Sequence, residues 1–460
     1  MSQKERETER LALQGGLKAV TKIEGKGEPK IGIEEFMALA KRFGFKETAL
    51  DRIRQVVTEE GIGSGPFLAN YYSGLPESCV QAFERVCRET FGTKYAVGVS
   101  SGTGALHSSF AAAGVGAGKE VICPAIGFYA TSAAVVMANG VPVFCDVDES
   151  LGMDPAKIEA LITERTVALA PTHVMGNVCR MDAIMAVARK HNLKVIEDCA
   201  QACGGRYKGQ LVGTFGDLGC FSISAYKIVG GGEGGLVITN DERLWDRVNC
   251  LAEGGGLWRP VRFAKPRYEG ELFVGGNYRM SEMEGAVDTV QMQKMEQTVD
   301  RFRGVKRRVT EQLKTYREIV PQMANDAEGE VGYSLRFYPA DVALGKTLVE
   351  ALQAEGINAG SRCGQHRDDW HIYYDMTPLH YHHQFSGGAC GTGCARSAHR
   401  GPHPTYFRGA CPVADDLFDR VINIGLNQWH SETDCDNIAR GITKVLDAFC
   451  TRDPKGRSWR

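Results

Sequence analysis

Cys220-Phe221-Ser222-Ile223-Ser224-Ala225-Tyr226-Lys227 leads, two residues on, into Gly230-Gly231-Gly232-Glu233-Gly234-Gly235. The apolar start of this stretch reads as a strand, and the glycines after it as a turn. A strand of this kind delivers a serine hydroxyl, a lysine amine and side-chain-free backbone to one place. An amine can trap an aldehyde, a hydroxyl can meet a phosphate, and glycine leaves room for a ligand to approach.

Working outward, further apolar runs occur at 95–99, 120–123, 141–145, 167–170, 194–196, 219–223 and 235–238. Helix-like stretches lie between several of them, including 155–163 and 181–191. Short buried strands alternating with amphipathic helices predict an α/β sheet covered on both faces. Such sheets gather ligands at their strand ends. This region is expected to form a large domain over 61–310. A charged helical stretch from Gln291 to about Tyr316 should lead into a smaller C-terminal domain, 311–460, closing with a helix over 432–449. Residues 1–60 read as a helical extension in which Ile33, Phe36, Met37, Ala40 and Phe43 share helical spacing.

Four other stations agree with the lysine. Ser100-Ser101-Gly102-Thr103-Gly104 follows the run 95–99, and a glycine-rich helix start suits a phosphate; a plain capped turn has the same composition. Glu197-Asp198 ends another run, with Gln201 one turn on. A buried acid there needs a partner, and a protonated pyridine nitrogen would serve; a helix N-cap is the ordinary alternative. Pro124 to Thr131 carries Phe128, placed to stack on a flat ring or simply to fill core. Gly275-Gly276-Asn277-Tyr278-Arg279-Met280 is a turn leading into a helix. Together with Lys227, these stations read as a site for pyridoxal 5'-phosphate (PLP), the lysine holding it as a Schiff base.

With Gly65-Pro66-Phe67, Asp146-Val147-Asp148, His173 and Gly176, these motifs recur in order over about 65–446. The chain resembles the DegT/StrS-type sugar aminotransferases, within the PLP enzymes of fold type I. The resemblance implies an aspartate-aminotransferase-like fold: a large domain with a mostly parallel seven-stranded sheet and a smaller α+β domain. It implies Lys227 as Schiff-base lysine and proton carrier, Asp198 at the pyridine nitrogen, and Gln201 beside the ring oxygen. It further implies Phe128 stacked on the ring, and Gly102, Thr103, Gly104 and Ser222 around the phosphate. Asn277 would reach the phosphate from the neighbouring subunit, so a homodimer with shared sites is implied. His173 would support the strand end. Arg279 and Arg362 are the arginines offered for the donor carboxylate.

The expected reaction moves an amino group from glutamate or glutamine to a keto or aldehyde sugar, sugar acid or inosose by ping-pong transfer. Some members of similar pattern carry histidine at the lysine position and remove a hydroxyl; Lys227 favours transamination. The alternatives are a sugar dehydratase and a non-catalytic sensor on the same fold.

The totals exclude other classes. A formal net charge of −2 gives no general attraction to nucleic acid or an anionic membrane. No apolar run is long enough to span a bilayer, and the polar start has no signal-peptide core. Fifteen scattered cysteines fit reduced thiols and a cytoplasmic location. Residues 363–411 concentrate His366, His371, His380, His382, His383, His399 and His403 with Cys363, Cys390, Cys394 and Cys411. Their spacing does not match a zinc pattern, so no metal is expected, and the segment reads as a hydrogen-bonding loop facing substrate.

Overall fold

A computed structural model describes residues 10–25, 30–63, 67–68, 76–256, 264–363, 368–380 and 406–460. The chain forms two compact units, Met1–Gly74 and Leu75–Arg460.

The first unit contains helices α1 (Ile33–Arg42) and α2 (Glu47–Glu60). Met37, Ala40 and Leu50 form its buried cluster. Phe36 and Phe43, expected on the packing face, are exposed. Two short helices bury only a narrow stripe, and these rings fall outside it.

The second unit begins with α3 (Cys79–Phe91), capped by Ser78 and ended by Gly92 in the left-handed conformation. There follow β1 (Tyr95–Val99), α4 (Gly102–Ala112), β2 (Glu120–Pro124), α5 (Ala130–Met137), β3 (Val141–Cys145), β4 (Thr166–Leu169), α6 (Met181–Lys190), β5 (Lys194–Asp198), β6 (Leu218–Ser222) and β7 (Gly235–Thr239). The strands form one seven-stranded sheet in the order β1-β7-β6-β5-β4-β2-β3. Only β7 runs against its neighbours β1 and β6; the other pairs are parallel. Alternate residues feed different cores. Val121 and Cys123 of β2 join one cluster and Ile122 the other; Cys220 and Phe221 of β6 divide likewise. Two-sided burial explains why these strands read as continuous apolar runs.

Next come α7 (Glu242–Ala252), α8 (Glu282–Gln293) and α9 (Met295–Thr310). The stretch expected as one helix to about Tyr316 is therefore broken at Lys294 and ends at Thr310. The expected helix 155–163 is one turn, Pro155–Ile158, running into a tighter turn, Glu159–Leu161. Strands β8 (Ile319–Pro321) and β9 (Ser334–Pro339), helix α10 (Val342–Ala354), strand β10 (Ala359–Ser361), helix α11 (Pro412–Arg420), strand β11 (Ile422–Gly425) and helix α12 (Glu432–Phe449) complete the chain. The four strands form an antiparallel sheet, β8-β9-β11-β10, with its own core around Phe337, Leu348, Ile422 and Ile442.

Candidate active site at the strand ends

The parallel order brings the ends of β5 and β6 side by side, with Asp198 opposite Cys220. Asp198 is the last residue of its strand and is buried. No α-helix starts there, so the helix-cap reading fails. Its Oδ1 instead accepts the Ala200 N–H at 3.0 Å, closing a local turn. Its Oδ2 accepts the Thr131 hydroxyl at 2.5 Å. Thr131 lies at the start of α5, three residues beyond Phe128. It is the site residue that sequence reasoning missed, and the i, i+3 spacing from Phe128 was the available signal.

Lys227 follows β6 on a pinned loop. Its N–H donates to the Ser224 carbonyl at 2.9 Å, the Ala225 N–H to Gly232 at 2.9 Å, and the Gly231 N–H to Ile223 at 3.2 Å. Burial holds the Lys227 amine below its usual range, while the nearby Asp198 charge pulls the other way. An amine with a lowered pKa is a better nucleophile and proton acceptor at neutral pH.

The third part of the site comes from β7. Gly235 stands opposite both Val99 and Ser222, tying the ends of β1 and β6 together. A Cβ on Gly235 would lie 2.2 Å from the Ser101 carbonyl oxygen, and one on Gly102 would lie 2.7 Å from Ser222 Cβ. Glycine at these positions lets the start of α4 sit against Ser222. Ser101 caps that helix, its hydroxyl accepting the Gly104 N–H at 3.0 Å. The first N–H groups of a helix have no partner within it, so Gly102, Thr103 and Ser222 form a cradle suited to an anion.

Phe128 is 43% exposed and its ring meets that of His371, centroids 5.2 Å apart. Gln201 turns its side-chain oxygen to the Met175 N–H at 2.7 Å. Asn277 contacts Glu253 and Arg279 rather than the lysine loop. Arg279 faces Glu253 at 3.6 Å, and Arg362 is paired with the buried Asp375 at 2.9 Å.

His173 is fully buried behind the site. Its Nε2 lies 3.1 Å from Glu197 Oε2, and its Nδ1 accepts the Cys179 N–H. His173, Glu197 and Cys199 lie close enough together to hold an ion. However, both Glu197 oxygens are occupied, accepting N–H groups of Gly213, Phe215 and Gly216 as well as the His173 contact. This carboxylate anchors a turn. Of the His/Cys-rich segment, residues 364–367 and 381–405 lie outside the described residues.

Comparison with known proteins agrees with this arrangement. The chain belongs to the DegT/DnrJ/EryC1/StrS aminotransferase family, whose model matches residues 75–380. It is 39% identical over 216 residues to the GDP-perosamine synthase of Caulobacter vibrioides, covering 47% of this chain and 56% of that one. Its matches to three curated relatives, that synthase among them, span 56%, 63% and 60% of their lengths. A longer match joins it to the L-glutamine:2-deoxy-scyllo-inosose aminotransferase of Micromonospora echinospora, 31% identical over 80% of this chain and 86% of the relative. The solved aminotransferase of Psychrobacter cryohalolentis superposes with a TM-score of 0.68 at 26% identity, covering 88% of this chain and 98% of that one. The family implies pyridoxal phosphate. The amine of Lys227, the buried acid Asp198, the exposed ring of Phe128 and the glycine-lined cradle fit that group.

Proposed function

We propose that this chain is a PLP-dependent aminotransferase that moves an amino group from glutamine or glutamate to the carbonyl of a polyhydroxylated sugar or cyclitol. The observation that carries the reading is the placement of Asp198 at the end of β5, paired with the β6 strand that leads into the Lys227 loop, beside an anion cradle. When bound, the cofactor supplies an electron sink for the carbon that loses its proton. Lys227 holds the cofactor through its amine and, once released, accepts and returns that proton. Asp198, oriented by Thr131 and the Ala200 N–H, would face the ring nitrogen. Gly102, Thr103 and Ser222 would hold the phosphate, the Gly104 N–H being already given to Ser101, and Phe128 would lie against the ring. The donor and the acceptor class are supported by relatives whose names specify L-glutamine and an inosose.

The reading includes a homodimer, with Asn277 serving the partner's cofactor. Tyr226, next to Lys227, is 100% exposed, and Val274, near Asn277, is 95% exposed. Met283, Val287 and Val290 form an exposed apolar stripe on α8. This exposed apolar surface supports an interface there. The separate core of the four-stranded sheet supports a smaller domain over 311–460. Free thiols at thirteen described cysteines support a reducing, cytoplasmic location; among the described residues no helix is long and apolar enough to cross a membrane.

The test is isotope transfer. Glutamine labelled with 15N at the α-amine, incubated with 2-deoxy-scyllo-inosose and the enzyme, should yield a cyclitol amine carrying the label. A product that has lost a hydroxyl and gained no nitrogen would instead identify a dehydratase.

A further inference from the structure

The strand-end site has a mouth as well as a floor. Asp198 and Thr131 are each 3% exposed, whereas Phe128, one turn outward from Thr131, is 43% exposed. The segment Trp370–Ile372 is laid along Ile126–Tyr129 by backbone pairing: the Gly127 N–H donates to His371 at 2.9 Å and the Tyr129 N–H to Trp370 at 2.8 Å. This fixes the His371 ring against Phe128, with its side chain 35% exposed.

His371 is also oriented from below. Asp369 Oδ1 lies 2.8 Å from His371 Nδ1 and accepts the His371 backbone N–H at 2.9 Å. The Asp369 N–H in turn donates to Asp375 Oδ2 at 3.1 Å, and Arg362 holds that same oxygen at 2.9 Å. The hydrogen bond to His371 holds the Asp369 carboxyl below its usual range, against the effect of burial. An ionised carboxylate only accepts, so in the neutral imidazole the proton sits on Nδ1 and Nε2 offers its lone pair. Among the described residues nothing is bonded to Nε2. A fixed acceptor at the open edge of an aromatic floor is suited to a hydroxyl on a substrate.

We propose that His371 recognises a hydroxyl group of the amino acceptor through Nε2, with Asp369 as its positioning residue. This rests on the aminotransferase reading above. The consequence is confined to the second half of the reaction, because the amino donor needs no hydroxyl contact.

The test uses the purified, cofactor-loaded enzyme with glutamine as donor and, as acceptors, 2-deoxy-scyllo-inosose and GDP-4-keto-6-deoxymannose. His371→Phe keeps the ring contact with Phe128 and removes the acceptor atom; it should raise the acceptor KM by roughly tenfold or more, the loss expected for an unpaired substrate hydroxyl. The glutamine half-reaction, followed by absorption, should be unchanged. His371→Gln places an amide where Nε2 stood and should restore the KM to within about threefold of wild type. Asp369→Asn should raise the acceptor KM with kcat little changed. As a readout independent of turnover, the imidazole 15N signal lost in His371→Phe should shift when the accepted substrate is added. An unchanged acceptor KM in His371→Phe, or equal damage to both half-reactions, would overturn the inference while leaving the aminotransferase reading intact. Acceptance of neither acceptor by a wild type that loads the amine from glutamine also counts against it. Failure of wild type to load the amine at all would remove the parent reading and this one with it.

Discussion

Asp198 and Asp288 are both buried acids, and their surroundings differ. Asp198 has a hydroxyl and an N–H on its oxygens. Asp288 is fully buried on α8 with no hydrogen bond to either oxygen, facing the glycine turn after Lys227. Burial, reinforced by Glu284 one turn earlier, raises its carboxyl from 3.8 to about 8. Between these values the native state keeps a proton that the unfolded chain has lost. Stability should therefore fall as pH rises from about 4 to about 8, by up to ~1.4 kcal/mol per pH unit from this group. Asp288→Asn should flatten that slope and raise the melting temperature at pH 7, as scanning calorimetry across the range would show. A wild-type profile with no such decline would mean that Asp288 ionises freely. At this scale the sequence was legible where a residue sits in a local motif. Asp198 and Ser222 stand at the ends of readable strands, and Lys227 on the loop that follows one of them. Thr131 was not identified because it meets Asp198, 67 residues away, only in the fold, and Asp369 because its neighbour His371 reaches Phe128 only when two segments pack together. Gln201 shows the converse: its position was readable, but its contact with Met175 was not.

At the scale of elements, the sheet was almost fully legible, since both faces are buried and each strand is a short apolar run. Its antiparallel member β7 was not, because an apolar run carries no direction. The breaks at Lys294 and after Ile158 were missed for a related reason: charged helical composition continues across them. The glycine turn makes two sharp predictions. Gly235→Ala would drive a Cβ into the Ser101 carbonyl, which is backbone and cannot swing away. It should destabilise the protein by roughly 3 kcal/mol or more and weaken cofactor retention by displacing the start of α4. Gly231→Ala would place a Cβ 2.1 Å from Asp288 Oδ1. Its cost should be on the order of 2 kcal/mol and should shrink in an Asp288→Gly background, the coupling expected of touching residues. Denaturant melts of the four proteins of this cycle would measure that coupling; strict additivity would contradict it.

At the scale of the molecule, the proposed shared site makes a demand on the exposed apolar stripe of α8, formed by Met283, Val287 and Val290. Val290→Glu puts a charge on that stripe at a residue that is 46% exposed. It should shift the protein from dimer to monomer in sedimentation and lower activity at least about tenfold, with the loss recovering as concentration rises. A monomeric wild type of full activity would refute the shared site. The central claim, that Lys227 and Asp198 form a working aminotransferase site, is tested most directly by an absorption spectrum. Purified wild type supplied with pyridoxal phosphate should show a visible band that is lost on adding glutamine or glutamate and returns with a keto-sugar or inosose, and Lys227→Ala should show no such cycle. Wild-type protein that takes up no cofactor, or whose band is indifferent to every amino donor, would contradict the account.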